Sequence, residues 1–355
     1  MDTNELNGIN KYLFEKMQKK FLFLNIFLLF NILNTNGKLI NLINCFSEVH
    51  LIVDGIGKVN ILNDAFIFEP SKVTINGNSK NCKKFCNFER YENNVTLHFN
   101  DSINNCENMF YLSEYIKEID LSKFDFSKVT TMNKMFMNCF SLEKIEFGDI
   151  NTSSLTSMEY IFNGCSNLKS IDLSKFNTNK VTSFQYIFND CKSITSIALG
   201  NMDTSSAKSL NSFFNHCKNL KLIDISSFNT SLVVDMTKVF FHCYSLKLIA
   251  FPFIFDTSKV TTMYSIFIHC RSLIALDLSN FYLSNDVNLE YMFHNCNKLK
   301  YIDLSNFPPI TLTKLTLTFR LLTSLVYLNI PNLEINSNTM MERIFADNSD
   351  YFKIC

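Results

Sequence analysis

The stretch Cys165-Ser-Asn-Leu-Lys-Ser-Ile-Asp-Leu-Ser-Lys-Phe-Asn-Thr-Asn-Lys-Val-Thr-Ser-Phe-Gln-Tyr-Ile-Phe-Asn-Asp190 decides the fold, because it recurs. Its leading cysteine returns at 139, 165, 191, 217, 243, 270 and 296, in steps of 26, 26, 26, 26, 27 and 26 residues. The same register runs back to Ser113 and forward to Leu322, which gives nine units over 113–347, or 235 of 355 residues. A period of roughly 20–29 residues carrying Leu-x-x-Ile-x-Leu is a leucine-rich solenoid signature. Stacked turns place like residues over like, so each apolar column should become a buried ladder. One column is phenylalanine throughout: Phe136, Phe162, Phe188, Phe214, Phe240, Phe267, Phe293, Phe319 and Phe345. A second reads Met132, Met158, Phe184, Leu210, Met236, Met263, Leu289, Leu315 and Met341. A third reads Phe124, Ile150, Phe176, Met202, Phe228, Phe255, Phe281, Phe307 and Leu333. These columns hold 16 of the 36 Phe, and the phenylalanine excess reads as core. Burying one phenylalanine contributes roughly 1.5–3 kcal/mol, and no unit can shield its own ring.

Within a unit, Leu168 to Leu173 reads as a short strand, with Ile171 and Leu173 inward and Ser170, Asp172 and Ser174 outward. Asn177-Thr-Asn can cap a helix, and Val181, Phe184, Ile187, Phe188 and Cys191 fall on one helical stripe. The expected fold is therefore α/β: a leucine-rich-repeat solenoid with parallel strands on the concave face and short helices on the convex face. Residues 38–112 differ, with strand-like runs at Val49–Val53, Val73–Ile75 and Val95–Phe99, and read as an N-terminal β-rich cap. Such a cap is needed because an open end would expose the ladders. At the other end, Pro308-Pro309 and the missing cysteine of unit nine fit a decaying terminal repeat, leaving 348–355 as a C-terminal tail.

Thirty-three Lys+Arg balance 33 Asp+Glu, which argues against nucleic acid as a partner. Hydrophobic residues at 47%, with 8 Gly and 5 Pro, place the chain among core-forming proteins. Near the N-terminus a basic stretch, Lys16 to Lys20, precedes the apolar run Phe21–Leu33 and the polar exit Asn34-Thr-Asn-Gly37. That order is a secretory signal pattern, so 1–37 is expected as a signal peptide or signal anchor, with Met17 a candidate true start. The run is shorter than the ~20 residues a membrane span needs. Membrane association is thus expected only through this segment, if it stays uncleaved. In a secreted chain, Asn94, Asn100, Asn151 and Asn229 head glycosylation sequons. Cys82, Cys86 and Cys106 are disulfide candidates whose pairing stays open.

The units resemble the BspA-like leucine-rich-repeat surface proteins in their 26-residue form. The residues that carry the resemblance are Ile119-Asp-Leu-Ser-Lys-Phe-Asp-Phe-Ser-Lys-Val-Thr-Thr-Met132, Met135-Phe-Met-Asn-Cys139 and Ile171-Asp-Leu-Ser-Lys-Phe176. That resemblance implies a non-enzymatic exported protein associated with adhesion and cell contact. It supplies no fixed binding residues.

Three columns are candidate sites. His216, His242 and His269 each precede a ladder cysteine and invite a zinc reading. The full column is Asn138, Gly164, Asp190, His216, His242, His269 and Asn295, types that tolerate positive φ, so backbone geometry accounts for all of it and no metal site is assigned. The outward strand column is acidic at Asp120, Glu146, Asp172, Asp224, Asp277 and Asp303, which suits a cationic partner or, more simply, a turn in which Asp bonds the following backbone. Its neighbour changes from Glu118, Lys144, Ser170 and Ser196 to Leu222, Leu248, Ala275, Tyr301 and Tyr327. Solvent gives no reason for an apolar run there, and such patches mark interfaces. Leu222, Leu248, Tyr301 and Tyr327, with Asp224, Asp277 and Asp303, are the expected partner-binding residues.

No Gly-rich phosphate loop, HExxH or GxSxG occurs, and no cofactor or catalytic residue is assigned. The expected function is non-enzymatic binding of a protein or glycan on another cell or matrix, by a secreted or cell-surface chain. Two alternatives stay open: a self-associating surface coat, or a cytosolic leucine-rich-repeat scaffold if 1–37 is no signal.

Overall fold

The computed structural model describes residues 47–278, 281–283, 287–305, 307, 315–330, 344–345 and 348, and the backbone of 353–354. The expected signal at 1–37 lies outside them, as do Pro308, Pro309, Leu333 and Met341.

Six strands precede the repeats: β1 (Ser47–Val53), β2 (Gly57–Asn60), β3 (Lys72–Ile75), β4 (Asn78–Lys80), β5 (Phe85–Phe88) and β6 (Asn93–Phe99). Strict alternation makes β1 half-buried: Val49, Leu51 and Val53 point into the core, while Glu48, His50 and Ile52 stay on the wetter face. Nine strands follow, one per coil: β7 (Ile116–Lys123), β8 (Lys144–Glu146), β9 (Ser170–Asp172), β10 (Ser196–Ala198), β11 (Leu222–Asp224), β12 (Leu248–Ala250), β13 (Ala275–Asp277), β14 (Tyr301–Asp303) and β15 (Tyr327–Asn329). β1 pairs antiparallel with both β6 and β7, and β7 pairs parallel with β8. The strand face of the coils therefore continues into the N-terminal sheet, and β7 is not left as an open edge.

Parallel pairing preserves the period. Glu118 faces Lys144, Ser170 faces Ser196, Leu222 faces Leu248, and Ala275, Tyr301 and Tyr327 stand in line. A further strand, β16 (Lys353–Ile354), pairs with β15 in the same register. The stretch expected as a tail thus contributes another step of the ladder.

The phenylalanine column stacks as its spacing predicts. From Phe110 to Phe345 each ring lies over the next, with centroids 5.3–5.8 Å apart and planes within 18°. All are buried, with Met132, Met158, Phe184, Leu210, Met236, Met263, Leu289 and Leu315 beside them.

Among the described residues the expected convex-face helices are absent, and with them the α/β assignment; the fold is a parallel β-solenoid. Among the described residues helical geometry is confined to 344–345. A helix bonds each N–H to the carbonyl four residues back. Here alternate N–H groups leave the coil: Met132, Lys134, Phe136 and Asn138 donate to Ser157, Glu159, Ile161 and Asn163 of the next coil at 2.7–2.9 Å. The intervening Met135, Met137 and Cys139 donate to carbonyls only three residues back, closing successive tight turns. Two left-handed residues per coil make this path, such as Lys134 (φ 56°) with Asn138 (φ 60°) and Tyr186 (φ 57°) with Asp190 (φ 59°). Apolar spacings of three and four serve such a run of turns as well as a helix. The hydrophobic pattern therefore could not separate them, and the available bonds to the neighbouring coil decided the outcome.

Candidate functional site

Three-residue strands leave their first and third side chains outside and bury the second. On β11 and β12 the first positions are Leu222 and Leu248, 62% and 63% exposed, and on β14 Tyr301 is 51% exposed. Tyr327 on β15 is half-buried and stands against Tyr301 in the pairing register. The predicted apolar residues thus come together as one stripe on adjoining coils. Sequence reading missed the residues that widen it. Phe253 and Ile254 protrude from the loop after β12, in the unit with the extra residue, and Tyr282 follows on the next coil. Ile274 and Val326, each just before a strand, are also exposed. Reading one column further along the repeat would have found those two.

That strand-leading column reads Lys117, Glu143, Lys169, Thr195, Lys221, Lys247, Ile274, Lys300 and Val326. In the first half its charges pair: Lys117 with Asp54 at 2.5 Å, and Lys169 with Glu143. Lys221, Lys247 and Lys300 are exposed, and among the described residues none is ion-paired.

The aspartates at the third strand position are partly occupied by the fold itself. Asp120, Asp172, Asp224 and Asp303 each accept the N–H of the serine two residues on, at 2.8–2.9 Å. The serine hydroxyl and N–H hold the Asp172 and Asp224 carboxyls below the ordinary carboxylate value. Asp277 occupies the equivalent place on β13. The local turn thus engages four of the six acidic members of the column, Asp120, Asp172, Asp224 and Asp303.

The next Asx column explains two sequons. Asp125, Asn151, Asn177, Asp203, Asn229 and Asp256 all accept the N–H two residues on, at 2.8–3.2 Å. Asn151 and Asn229 therefore close turns, and both are exposed, as are Asn94 and Asn100. The threonines that follow Asn151, Asn177, Asp203, Asn229 and Asp256 are buried. Thr204, for example, donates to the Asn229 carbonyl and accepts the Asn229 N–H, both at 2.8 Å.

Cysteine serves the core. Each ladder thiol donates to the carbonyl of a phenylalanine one coil back, from Cys139 to Phe110 at 2.9 Å through Cys296 to Phe267 at 3.0 Å. Burial pushes the Cys139 thiol up to about 12 and also raises the other ladder thiols from Cys165 to Cys270. In the N-terminal region Cys82 bonds to Cys86, and Cys106 is a free buried thiol. The column before the cysteines has positive φ at all seven positions, Asn138 to Asn295, as its residue types predict. Among the described residues no group of three or more His, Cys, Asp or Glu is placed to hold a metal ion.

The family described as Mycoplasma protein of unknown function, DUF285, matches residues 104–221, 156–251, 187–307 and 253–353. The chain belongs to this family. The four matches overlap because DUF285 is read on a repeat, and together they take in the solenoid from 104 to 353. Membership in DUF285 fixes kinship and carries no activity with it. No curated protein matches the chain.

Proposed function

We propose that the chain is a non-enzymatic, exported binding protein, in the manner of the BspA-like surface proteins it resembles. It is secreted or held at the cell surface, and it captures a protein or glycan of another cell or matrix on its strand face. One observation carries this reading: Leu222, Leu248 and Tyr301 are more than half exposed on the strand face of the solenoid, where burying them in the fold would have contributed roughly 1.5–3 kcal/mol each. A contiguous apolar surface of this kind is characteristic of an interface. The Cys82–Cys86 disulfide and the exposed sequons support an oxidising, secretory route.

The test is adsorption of the full chain to intact cells and matrix-coated plates, for the parent and for Leu222→Asp with Tyr301→Asp. Both side chains are exposed, so the variant should keep its circular dichroism and lose capture. Unchanged capture by a folded variant overturns the proposal. Sedimentation over a range of concentrations separates self-association, in which the same substitutions would dissolve an oligomer. Labelling of intact cells with an impermeant reagent tests export, and a chain reachable only after lysis refutes it.

A further inference from the structure

The charges beside the apolar stripe differ from one half of the solenoid to the other. Upstream, the strand-leading lysines are neutralised within the fold, Lys117 by Asp54 and Lys169 by Glu143. Downstream, Lys221, Lys247 and Lys300 are exposed and have no carboxylate partner among the described residues. Lys247 donates its N–H to the Lys221 carbonyl at 2.8 Å, so the two sit on adjacent coils, about one strand spacing of ~4.8 Å apart. Like charges so placed repel, and the fold gains nothing by keeping them bare. Ile274 and Val326 take the same column on their own coils, which joins the lysine row to the stripe of Leu222, Leu248 and Tyr301.

The opposite edge of the stripe is different in kind. Asp224 and Asp303 each give one carboxylate oxygen to a serine N–H in the turn that follows. The stripe thus lies between an unsatisfied cationic edge and an anionic edge that the fold partly satisfies. An anionic bilayer would meet the lysines and the aspartates together, and the second row would repel it. A sulfated glycan would meet the lysines but leave the aliphatic Leu222, Leu248, Ile274 and Val326 uncovered. A polypeptide can place carboxylates on one edge only and apolar side chains between.

We infer that the occupant of this surface is an extended acidic-apolar polypeptide segment, its apolar side chains laid along β11–β15 and its carboxylates set against Lys221, Lys247 and Lys300. This rests on the strand-face reading proposed above.

The experiment titrates the full chain with three fluorescein-labelled peptides of equal length, alternating leucine–glutamate, leucine–lysine and serine–glutamate. Leucine–glutamate should bind tightest, roughly tenfold ahead of leucine–lysine, as three exposed ion pairs of modest strength together supply. Lys221→Gln with Lys247→Gln and Lys300→Gln should erase that margin, and so should high salt. Equal affinity for leucine–glutamate and leucine–lysine overturns the inference, because charge then selects nothing. Serine–glutamate binding as tightly as leucine–glutamate overturns it too, in favour of a bare polyanion site. So does tighter binding to vesicles of phosphatidylserine and phosphatidylcholine than to any peptide. The underlying reading fails separately: Leu222→Asp with Tyr301→Asp would then leave binding of all three peptides unchanged.

Discussion

Acid should loosen this solenoid from about pH 6.5 downward. His216, His242, His269 and His294 stand ring against ring along successive coils, with centroids 4.6, 4.5 and 5.7 Å apart. The charged groups around them are mostly cationic: Lys218, Lys238, Lys192, Arg271 and Arg320, against Asp190 at 3.7 Å from His216. Burial, with neighbouring histidines and cations adding to it, lowers His242 and His269 from 6.5 to about 4, and it lowers His216 and His294 as well. A base whose folded pKa is depressed binds its proton more readily when unfolded. The stabilisation is therefore whole above about 6.5, drains as pH falls toward about 4, and changes no further below that. Without solvent screening, a fall from 6.5 to about 4 corresponds to roughly 3.4 kcal/mol per ring. The rings are partly exposed and solvent screens them, so about 1 kcal/mol each, about 2 for the pair, is the expected loss. His242→Asn with His269→Asn isolates it, because asparagine already holds the same left-handed geometry at Asn138 and Asn295. Urea midpoints measured from about pH 7.5 down to about pH 4 should fall more steeply for the parent than for the variant, by about 2 kcal/mol over the window. Asp172 and Asp224 do not confuse the result, since their pKa values lie below 3.8. Parallel slopes for parent and variant would refute the reasoning.

Thr204→Val keeps the shape of a fully buried residue but orphans the Asn229 N–H and carbonyl; a loss of about 2 kcal/mol in urea unfolding is expected, and a loss under about 0.5 would contradict it. Gly200→Ala sets a Cβ 2.6 Å from the Ser174 Cα at φ +57°, whereas Gly77→Ala at φ +81° meets nothing within 4 Å. The first should therefore cost at least about 1 kcal/mol more than the second in the same assay, and equal costs would show that the coils do not approach so closely. Native chain treated with iodoacetamide should remain unmodified at Cys139, Cys165, Cys191, Cys217, Cys243, Cys270 and Cys296, which are buried; peptide mapping that finds them alkylated without denaturant would contradict the ladder.

Much of this architecture was legible because a solenoid writes its core into columns. Phenylalanine recurs at Phe136, Phe162 and Phe188 because each ring needs the next above it, and the Asn/Asp/Gly/His column needs positive φ. The turns in place of helices were not legible. The second left-handed position is held by Lys134, Tyr160, Tyr186 and Leu317, side chains with no preference for that geometry. Left-handed backbone there is imposed by the bonds to the next coil, which no single unit displays. The Asn-Thr pairs misled in the same way: Asn177 looked like a helix cap, and Asn151 and Asn229 like sequons alone, while all three close turns over a buried threonine. The apolar run on the strand face was visible as a column, yet its lysine flank became meaningful only once the pairing of Lys117 and Lys169 could be set against the bare Lys221 and Lys247.

The claim beneath all of this is that successive coils stack ring on ring, and a double-mutant cycle measures it directly. Phe162, Phe188 and Phe214 are replaced by leucine singly and in pairs, and unfolding free energies are compared. Phe188 lies 5.4 Å from Phe162 and 5.8 Å from Phe214, its ring nearly parallel to both. Each neighbouring pair should therefore couple by about 0.5–1.5 kcal/mol, while Phe162 and Phe214, two coils apart, should add within about 0.5 kcal/mol. Additive behaviour between neighbours, or equal coupling across two coils, would contradict the stacked solenoid.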